Sequence, residues 1–502
     1  MVCKSLQALV LVISLTAAGC GKTEPATTAG RSVPDPAPPQ PIAVAPPELI
    51  QRDDLDLRLP GEETEVPEWA GKRSDDPFPV KEFLESRSPA NNIAPLYLQV
   101  LAPFEEALKL IYPVSEREER GLEAAERQRL ISEYSGYKPR SEGPATSTEV
   151  QEFLNEVRPL LNQIALAQER GPCVFRTGMR MSSLAPHGTA CVALGRLARL
   201  EIEFAQLPEE WETVFETIER TFRLSRDIRP RGLLILQLVS NHMDAIILQC
   251  MADLLVPRTD LTTAHCDRLL QLVREHKDQG IDSYQEAARM EYIMLRNSIE
   301  DLAAGRTTLE ELDPGLSKNP NVPKLINYDI ERAEAGRIFS IVFEESQLPW
   351  HKLIRASRFG AEADKLRNGI AAGPADVLLG GKLRRSLVVP MLIPAMDQAR
   401  EADARYRVRM GAIPAIIAIR RYEIVHGSLP DSLNAALAEV GITEIPIDPY
   451  DSKPLKYVVI NGRPTVYSVG GDLEDQGGLV RWDFTENPGD FLFTYTVQSP
   501  DQ

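Results

Sequence analysis

The chain has 502 residues, 43% of them hydrophobic and 26% charged, with a formal net charge of -17. It carries enough apolar residues for a sizeable core and is long enough for two or three domains. The acidic balance argues against a nucleic-acid partner, because phosphate binding needs clustered Lys and Arg.

The chain opens with an export signature. Lys4 supplies a short positive region, Leu6 to Leu15 is apolar over the length of a signal peptide, and Ala17-Ala-Gly-Cys20 is a small-residue cleavage site. Residues 1–19 are expected to be removed. The apolar run is shorter than the roughly 20 residues that a spanning helix needs. Cysteine directly after Ala-Gly resembles the lipobox of bacterial lipoproteins, although Ala17 stands where that family usually has Leu. The resemblance implies cleavage before Cys20, lipidation of its thiol, and a membrane anchor facing the periplasm or exterior. An ordinary secretory signal would export the chain equally. Gly19-Cys-Gly-Lys-Thr23 is not a phosphate-binding loop: Thr16 stands where its first glycine is needed, and no strand precedes it. Residues 20–85 are rich in Pro and acidic residues, including Pro34-Asp-Pro-Ala-Pro-Pro-Gln-Pro41. They read as a semi-stiff, disordered tether.

Residues 86–385 read as a helical domain. Helices fit residues 94–111, 115–134 and 148–168. Leu194, Leu197, Ala198, Ile202 and Ala205 mark another. Trp211, Val214, Phe215, Ile218 and Phe222 fall on one face of a further helix, introduced by Pro208-Glu209-Glu210. These last two predict an αα-hairpin turning at Leu207-Pro208. Residues 233–255 are apolar nearly all round and predict a buried central helix; Asn241, His242 and Asp244 argue against its crossing a membrane. Asp260 is expected to cap a helix carrying Cys266, Leu269, Leu270 and Val273, which stops at Gly280. Ile281, Tyr284, Ala288, Tyr292, Leu295, Ile299 and Leu302 predict the next, ending at Gly305. Residues 327–345 and 349–372 predict two more. Consecutive helices with short Pro or Gly turns suggest an array of antiparallel helical hairpins, tetratricopeptide-like in architecture, without the Trp and Gly signature of such repeats.

Cysteines and histidines in this region carry no recognisable chemistry. Cys173 and Cys191 are the more plausible disulfide pair, with turns near both at Gly171-Pro172 and Pro186-His-Gly188. Buried thiols are the ready alternative, above all for Cys250 and Cys266. No Cys-x-x-Cys or His-x-x-x-His spacing supports a zinc site. Asn241-His242-x-Asp244 is the most suggestive polar cluster, and reads best as a hydrogen-bonded polar break in a core helix. Gly-x-Ser-x-Gly, His-Glu-x-x-His and Gly-x-Gly-x-x-Gly do not occur, so no catalytic residue is assigned.

Residues 386–502 change character. A long helical pattern runs from Pro394 through Ile416, Ile419 and Tyr422, with Pro414 expected to kink it. Gly427 ends it and Pro430 prevents continuation. Residues 430–438 predict a short helix. Leu455-Lys-Tyr-Val-Val-Ile460 and Pro464-Thr-Val-Tyr-Ser468 flank Asn461-Gly462, a strong hairpin signal. Phe491-Leu-Phe-Thr-Tyr-Thr496 alternates as a third strand.

The order Ile424-Val-His-Gly-Ser-Leu-Pro430, Ile445-Pro-Ile-Asp-Pro-Tyr450, Tyr467-Ser-Val-Gly-Gly-Asp472-Leu-Glu-Asp475-Gln-Gly-Gly478 resembles the C-terminal domain of type II secretion major pseudopilins. The resemblance covers residues 410–496 and implies a small α+β module with a calcium loop. By that resemblance the Val469 carbonyl and Asp472 match the Leu and Asp of the Ser-Leu-Gly-x-Asp motif. Asp475 or Asp490 correspond to the downstream acids, with Asp483 competing. Calcium needs six to eight oxygens, which a Gly-rich acidic loop can bring together. The alternative is a solvated acidic turn. Pilus assembly does not follow, since those proteins begin with a polymerising apolar helix. The whole chain also resembles uncharacterised bacterial lipoproteins with a helical domain, which implies no activity. Two functions fit: a non-enzymatic envelope scaffold that binds protein partners, or an envelope hydrolase whose site lies hidden in the helical domain.

Overall fold

In the computed structural model, the described residues are 66–71, 76–86, 92–94, 96–98, 148–175, 179, 186–205, 209–280, 282–312, 326–371, 378–379, 382–383, 386–391, 394–481 and 489–497. Cys20, the helix expected at 115–134 and residues 99–111 of the helix expected at 94–111 lie outside them. The fold is mainly helical with a small antiparallel sheet. Its helices are α1 (Val80–Ser86), α2 (Thr148–Gln168), α3 (Pro186–Glu203), α4 (Trp211–Asp227), α5 (Leu234–Cys250), α6 (Thr263–Asp278), α7 (Ser283–Ala303), α8 (Leu309–Leu312), α9 (Tyr328–Ser346), α10 (Trp350–Ala356), α11 (Arg358–Ala371), α12 (Pro394–His426) and α13 (Leu433–Glu439). Its strands are β1 (Leu378–Leu379), β2 (Lys382–Leu383), β3 (Lys456–Ile460), β4 (Arg463–Ser468) and β5 (Phe491–Thr494).

Apolar spacing explains the packing. The face of α4 that carries Trp211, Val214, Phe215, Ile218 and Phe222 is buried, as 3.6-residue periodicity requires. Helix α5 is buried nearly all round, and a π-helical turn at Met251–Leu255 extends it. It packs on α3, α4, α7 and α12, which makes it the centre of the molecule. By length and composition the stretch Leu234–Leu255 could cross a membrane, but 83% of its apolar window is buried inside the protein.

The long helix α12 does not stand apart from the helices before it. It runs unbroken across Pro414 and packs on α5, α6 and α7. One apolar cluster joins Ile247, Met251 and Leu269 to Ile413, Ile416, Val466 and Phe493. A Cβ on Gly411 would lie 2.8 Å from Pro446 Cβ and 3.2 Å from Leu455 Cδ1, so glycine admits the 446–455 loop onto α12. Beyond α12 the sheet has the order β3-β4-β5. Its first hairpin turns at Asn461 and Gly462, both at positive φ, as a type I′ turn demands.

Three expectations are corrected. Residues 66–71 and 76–85, expected within the tether, are packed against the helices. Trp69 and Phe78 pack with α1 on α7 and α9, and Trp69 Nε1 donates to Asn297 Oδ1 at 2.7 Å. Asp260 is not the cap of α6: Thr262 and His265 form a capping box there, while Asp260 pairs with Arg258 at 2.7 Å. The helix expected at 349–372 is two helices, broken at Ser357. The break follows from Glu345, whose carboxylate accepts from Ser357 Oγ, Arg358 N and Phe359 N at 3.2, 2.6 and 3.4 Å and so caps α11.

Candidate functional site

The loop after β4 holds the residues singled out for a cation. Asp448 sets its entrance. That carboxylate is fully buried and accepts from Val469 N (2.9 Å), Ser468 Oγ (2.9 Å) and Tyr450 N (2.9 Å). Three donors therefore fix the backbone at Ser468-Val469. Gly470, Gly477 and Gly478 take positive φ beyond it. A Cβ on Gly478 would meet Val458 Cγ1 at 3.2 Å and the Tyr467 ring at 3.3 Å, so the loop lies directly against the sheet.

Each expected ligand has a distinct setting. Asp472 accepts from Glu474 N at 3.1 Å and from Gln476 Nε2 at 2.9 Å. Asp475 accepts from Tyr467 Oη at 3.2 Å and from Gly477 N at 3.0 Å. Asp490 is fully buried and accepts from Gly478 N at 2.7 Å and Gln476 N at 3.4 Å. Burial raises the Asp490 carboxyl above its ordinary range; the two amide donors oppose this, and the charges of Asp475 and Asp472 add to it. The three carboxylates thus share one field. Val469 is buried at the loop's start. Asp483 lies outside the described residues.

Among the described residues, no group of three or more His, Cys, Asp or Glu has metal-holding geometry. The aspartates engage backbone amides as acceptors. Gln476 Oε1 is buried and has no hydrogen-bond partner among the described residues. Sequence reasoning missed Asp448, Tyr467 and Gln476. Asp448-Pro449 reads only as a turn until β4 is folded beside it.

The second polar concentration lies at the crossing of α4, α5, α6 and α12. Asp244 pairs with Arg229 and with His276 Nε2 at 2.9 Å. Arg229 Nε donates to Ser240 Oγ at 2.6 Å, and its Nη2 donates to Tyr406 Oη at 3.2 Å. Ser240 Oγ donates to the Ser225 carbonyl at 3.1 Å. Arg226 Nη1 lies 3.2 Å from His276 Nδ1. A guanidinium can only donate, so Nδ1 accepts and the ring proton sits on Nε2, facing Asp244. Burial lowers the His276 pKa, against the pull of Asp244, in keeping with a neutral ring. The same ring stacks on Phe222 at 4.2 Å.

This arrangement binds helices together and offers no reaction. Neither serine hydroxyl is hydrogen-bonded to the histidine; Ser225, Arg229, Ser240, Asp244 and His276 are buried, and Arg226 and Tyr406 are half-buried. Asp244 is therefore the hydrogen-bonded polar break expected in the core helix. Asn241 and His242 are buried elsewhere on α5; burial lowers His242 to about 4, and Arg196 and Arg409 add to this. Among the described residues, one cavity of about 10 Å³ is lined by Leu161, Ile164, Leu194, Arg220, Thr221 and Leu224. That is room for one water, not for a substrate. No protein-family model, curated protein or solved structure matches the chain.

Proposed function

We propose that this is an exported lipoprotein of the cell envelope, held to a membrane through Cys20. It acts as a non-enzymatic scaffold for protein partners and does not bind nucleic acid. On this reading its helices form a tetratricopeptide-like array of hairpins. A pseudopilin-like module, stiffened by calcium at Val469, Asp472, Asp475 and Asp490, closes the chain. What supports it is the loop itself: three aspartates in one field beside Gln476 Oε1, an acceptor without a donor among the described residues. A cation would relieve that repulsion and supply the missing partner.

Melting tests the calcium. Helix α12 shares its core with α5 and α6, so the whole mature chain is used. Binding to the folded state alone raises stability by about 2.7 kcal/mol at a hundredfold excess over Kd. The chain should melt higher in millimolar calcium than in chelator. Magnesium should act less, because it demands tighter octahedral geometry. Asp472→Ala should abolish the difference, and Glu474→Ala, at an exposed position, should keep it. Equal melting in calcium and chelator removes the metal.

Labelling with an acyl-chain probe tests the anchor. The wild type should take up label and fractionate with membranes. Cys20→Ser should do neither, since stable attachment rests on the acyl chains. A labelled serine variant, or an unlabelled wild type, overturns the assignment.

A further inference from the structure

Residues 66–71 and 76–78, which precede α1, lie on the molecule and not within it. Glu68 and Gly71 are exposed and the others are half-buried, while Tyr292 and Arg296 of α7 beneath them are each 1% exposed. Among the described residues, no backbone–backbone hydrogen bond joins these segments to α7 or α9; the bond from Ala70 N to the Pro67 carbonyl is local. A stretch that lacks backbone bonds to the body and keeps half its surface wet is of the kind that opens first.

Three side chains hold it instead. Trp69 Nε1 donates to Asn297 Oδ1, and Asn297 Nδ2 donates to the Met179 carbonyl at 2.9 Å, which fixes the amide with its oxygen toward the indole. The Arg296 guanidinium lies 4.8 Å from the centre of the Trp69 ring, and Tyr292 meets that ring edge-on at 6.2 Å. Asp76 Oδ1 accepts from Tyr292 Oη at 2.5 Å. Phe78 meets Tyr292 at 5.7 Å and Phe343 at 5.5 Å, with the Arg289 guanidinium 5.8 Å from its ring. Arg289, Tyr292, Arg296 and Asn297 recur at i, i+3, i+7 and i+8 along α7 and so share one face. Protein interfaces are rich in aromatic residues and Arg. By contrast, Ala288, Leu295 and Ile299 of the same helix offer only apolar packing.

We propose that this face of α7 is a peptide-recognition site that the chain's own residues 66–78 close in cis. The partner it takes is an extended protein segment that carries an indole, a carboxylate seven positions on and a phenyl ring nine positions on, the spacing of Trp69, Asp76 and Phe78. That partner rests on the scaffold reading above; the closure in cis does not. Asn297 Oδ1 and Tyr292 Oη supply the polar selectivity, since an occupant without an indole N–H or a carboxylate would leave them unpaired. The Arg289 and Arg296 guanidiniums favour aromatic rings over aliphatic side chains. Release of Trp69 would lengthen the expected tether and uncover the site in one step.

A synthetic peptide of residues 66–78 tests this on the whole mature chain. The four tryptophans are labelled as 5-fluorotryptophan, and Trp69→Phe assigns the Trp69 resonance. Excess unlabelled peptide should move that fluorine signal toward its position in the free labelled peptide and leave the other three in place. Fluorescence anisotropy of a dye-labelled peptide then compares affinities. Trp69→Ala should bind it about tenfold more tightly than the wild type, as expected when the closed form holds nine-tenths of the molecules. Asn297→Ala added to Trp69→Ala should weaken binding about threefold to tenfold, and a peptide carrying Trp69→Ala should not bind. If Trp69→Ala fails to fold, the fluorine titration of the wild type decides alone. An unmoved Trp69 resonance at millimolar peptide, or equal affinity of wild type and Trp69→Ala, overturns the proposal. So does a wild-type dimer that Trp69→Ala dissociates, because the occupant would then be a second copy's segment. None of these results touches the scaffold reading, whose calcium and acyl-label tests do not involve α7.

Discussion

Replacing Asp244 with alanine is expected to lower the unfolding free energy by about 3–5 kcal/mol, the cost of leaving a buried charge without its partner. Arg229 and Asp244 have side chains 3% and 0% exposed, and alanine would strand the guanidinium among Ser225, Ser240 and Tyr406. His276 would lose the acceptor of its Nε2 proton at the same time. Denaturant unfolding measures the loss, and a change below about 1 kcal/mol would place the pair among weak surface interactions. The double variant Arg229→Met with Asp244→Leu should recover much of the stability, because apolar pairs of similar volume often replace buried ion pairs at little cost.

The pH dependence of this pair has a definite sign. Burial would raise the Asp244 carboxyl, but His276 and Arg229 outweigh it and hold the carboxyl below its ordinary range. A group depressed in the folded state contributes stability above its unfolded pKa and loses it as pH falls through the folded one. His276, also depressed, loses its contribution as pH falls below the ordinary histidine range. Both groups therefore weaken the fold on acidification. Asp244→Ala should remove the carboxylate's share of the acid limb as well as lower its plateau.

Local pattern made much of this fold legible. The stripe from Trp211 to Phe222 predicts a helix, and Asn461-Gly462 predicts a hairpin, because each signal and its structure share the same few residues. The loop after β4 is legible as a Gly-rich acidic run for the same reason. What stayed hidden depends on partners distant in sequence. The helix break at Ser357 is made by Glu345. Asp448 matters through Ser468 and Val469 on a later strand. The union of α12 with α5 and α6 is a fact of packing, since an apolar stripe on a helix does not name the surface it will meet.

Glu345 gathers that lesson in one side chain, and Glu345→Ala is the second substitution expected to cost about 3–5 kcal/mol. The carboxylate caps α11 and pairs with Arg400 of α12 at 3.2 Å, with side chains 2% and 6% exposed. Arg400 Nη2 also donates to the Glu345 carbonyl at 2.9 Å, so α9 and α12 are joined twice. Alanine would leave that guanidinium buried and the first amides of α11 without an acceptor. Glu345→Gln keeps an acceptor for Arg358 N and removes the charge, so its loss should be smaller. The neighbouring Glu344 supplies an internal control. It pairs with Arg358 at 2.6 Å, but the two side chains are 62% and 63% exposed, and such pairs contribute about 0–1 kcal/mol. Hydrogen exchange should locate the damage: the amides of Phe359 and Gly360 should lose protection in Glu345→Ala and keep it in Glu344→Ala. Equal stability losses in the two variants would show that adjacency in sequence, not burial, decides the cost, and would remove Glu345 as the joint between these helices.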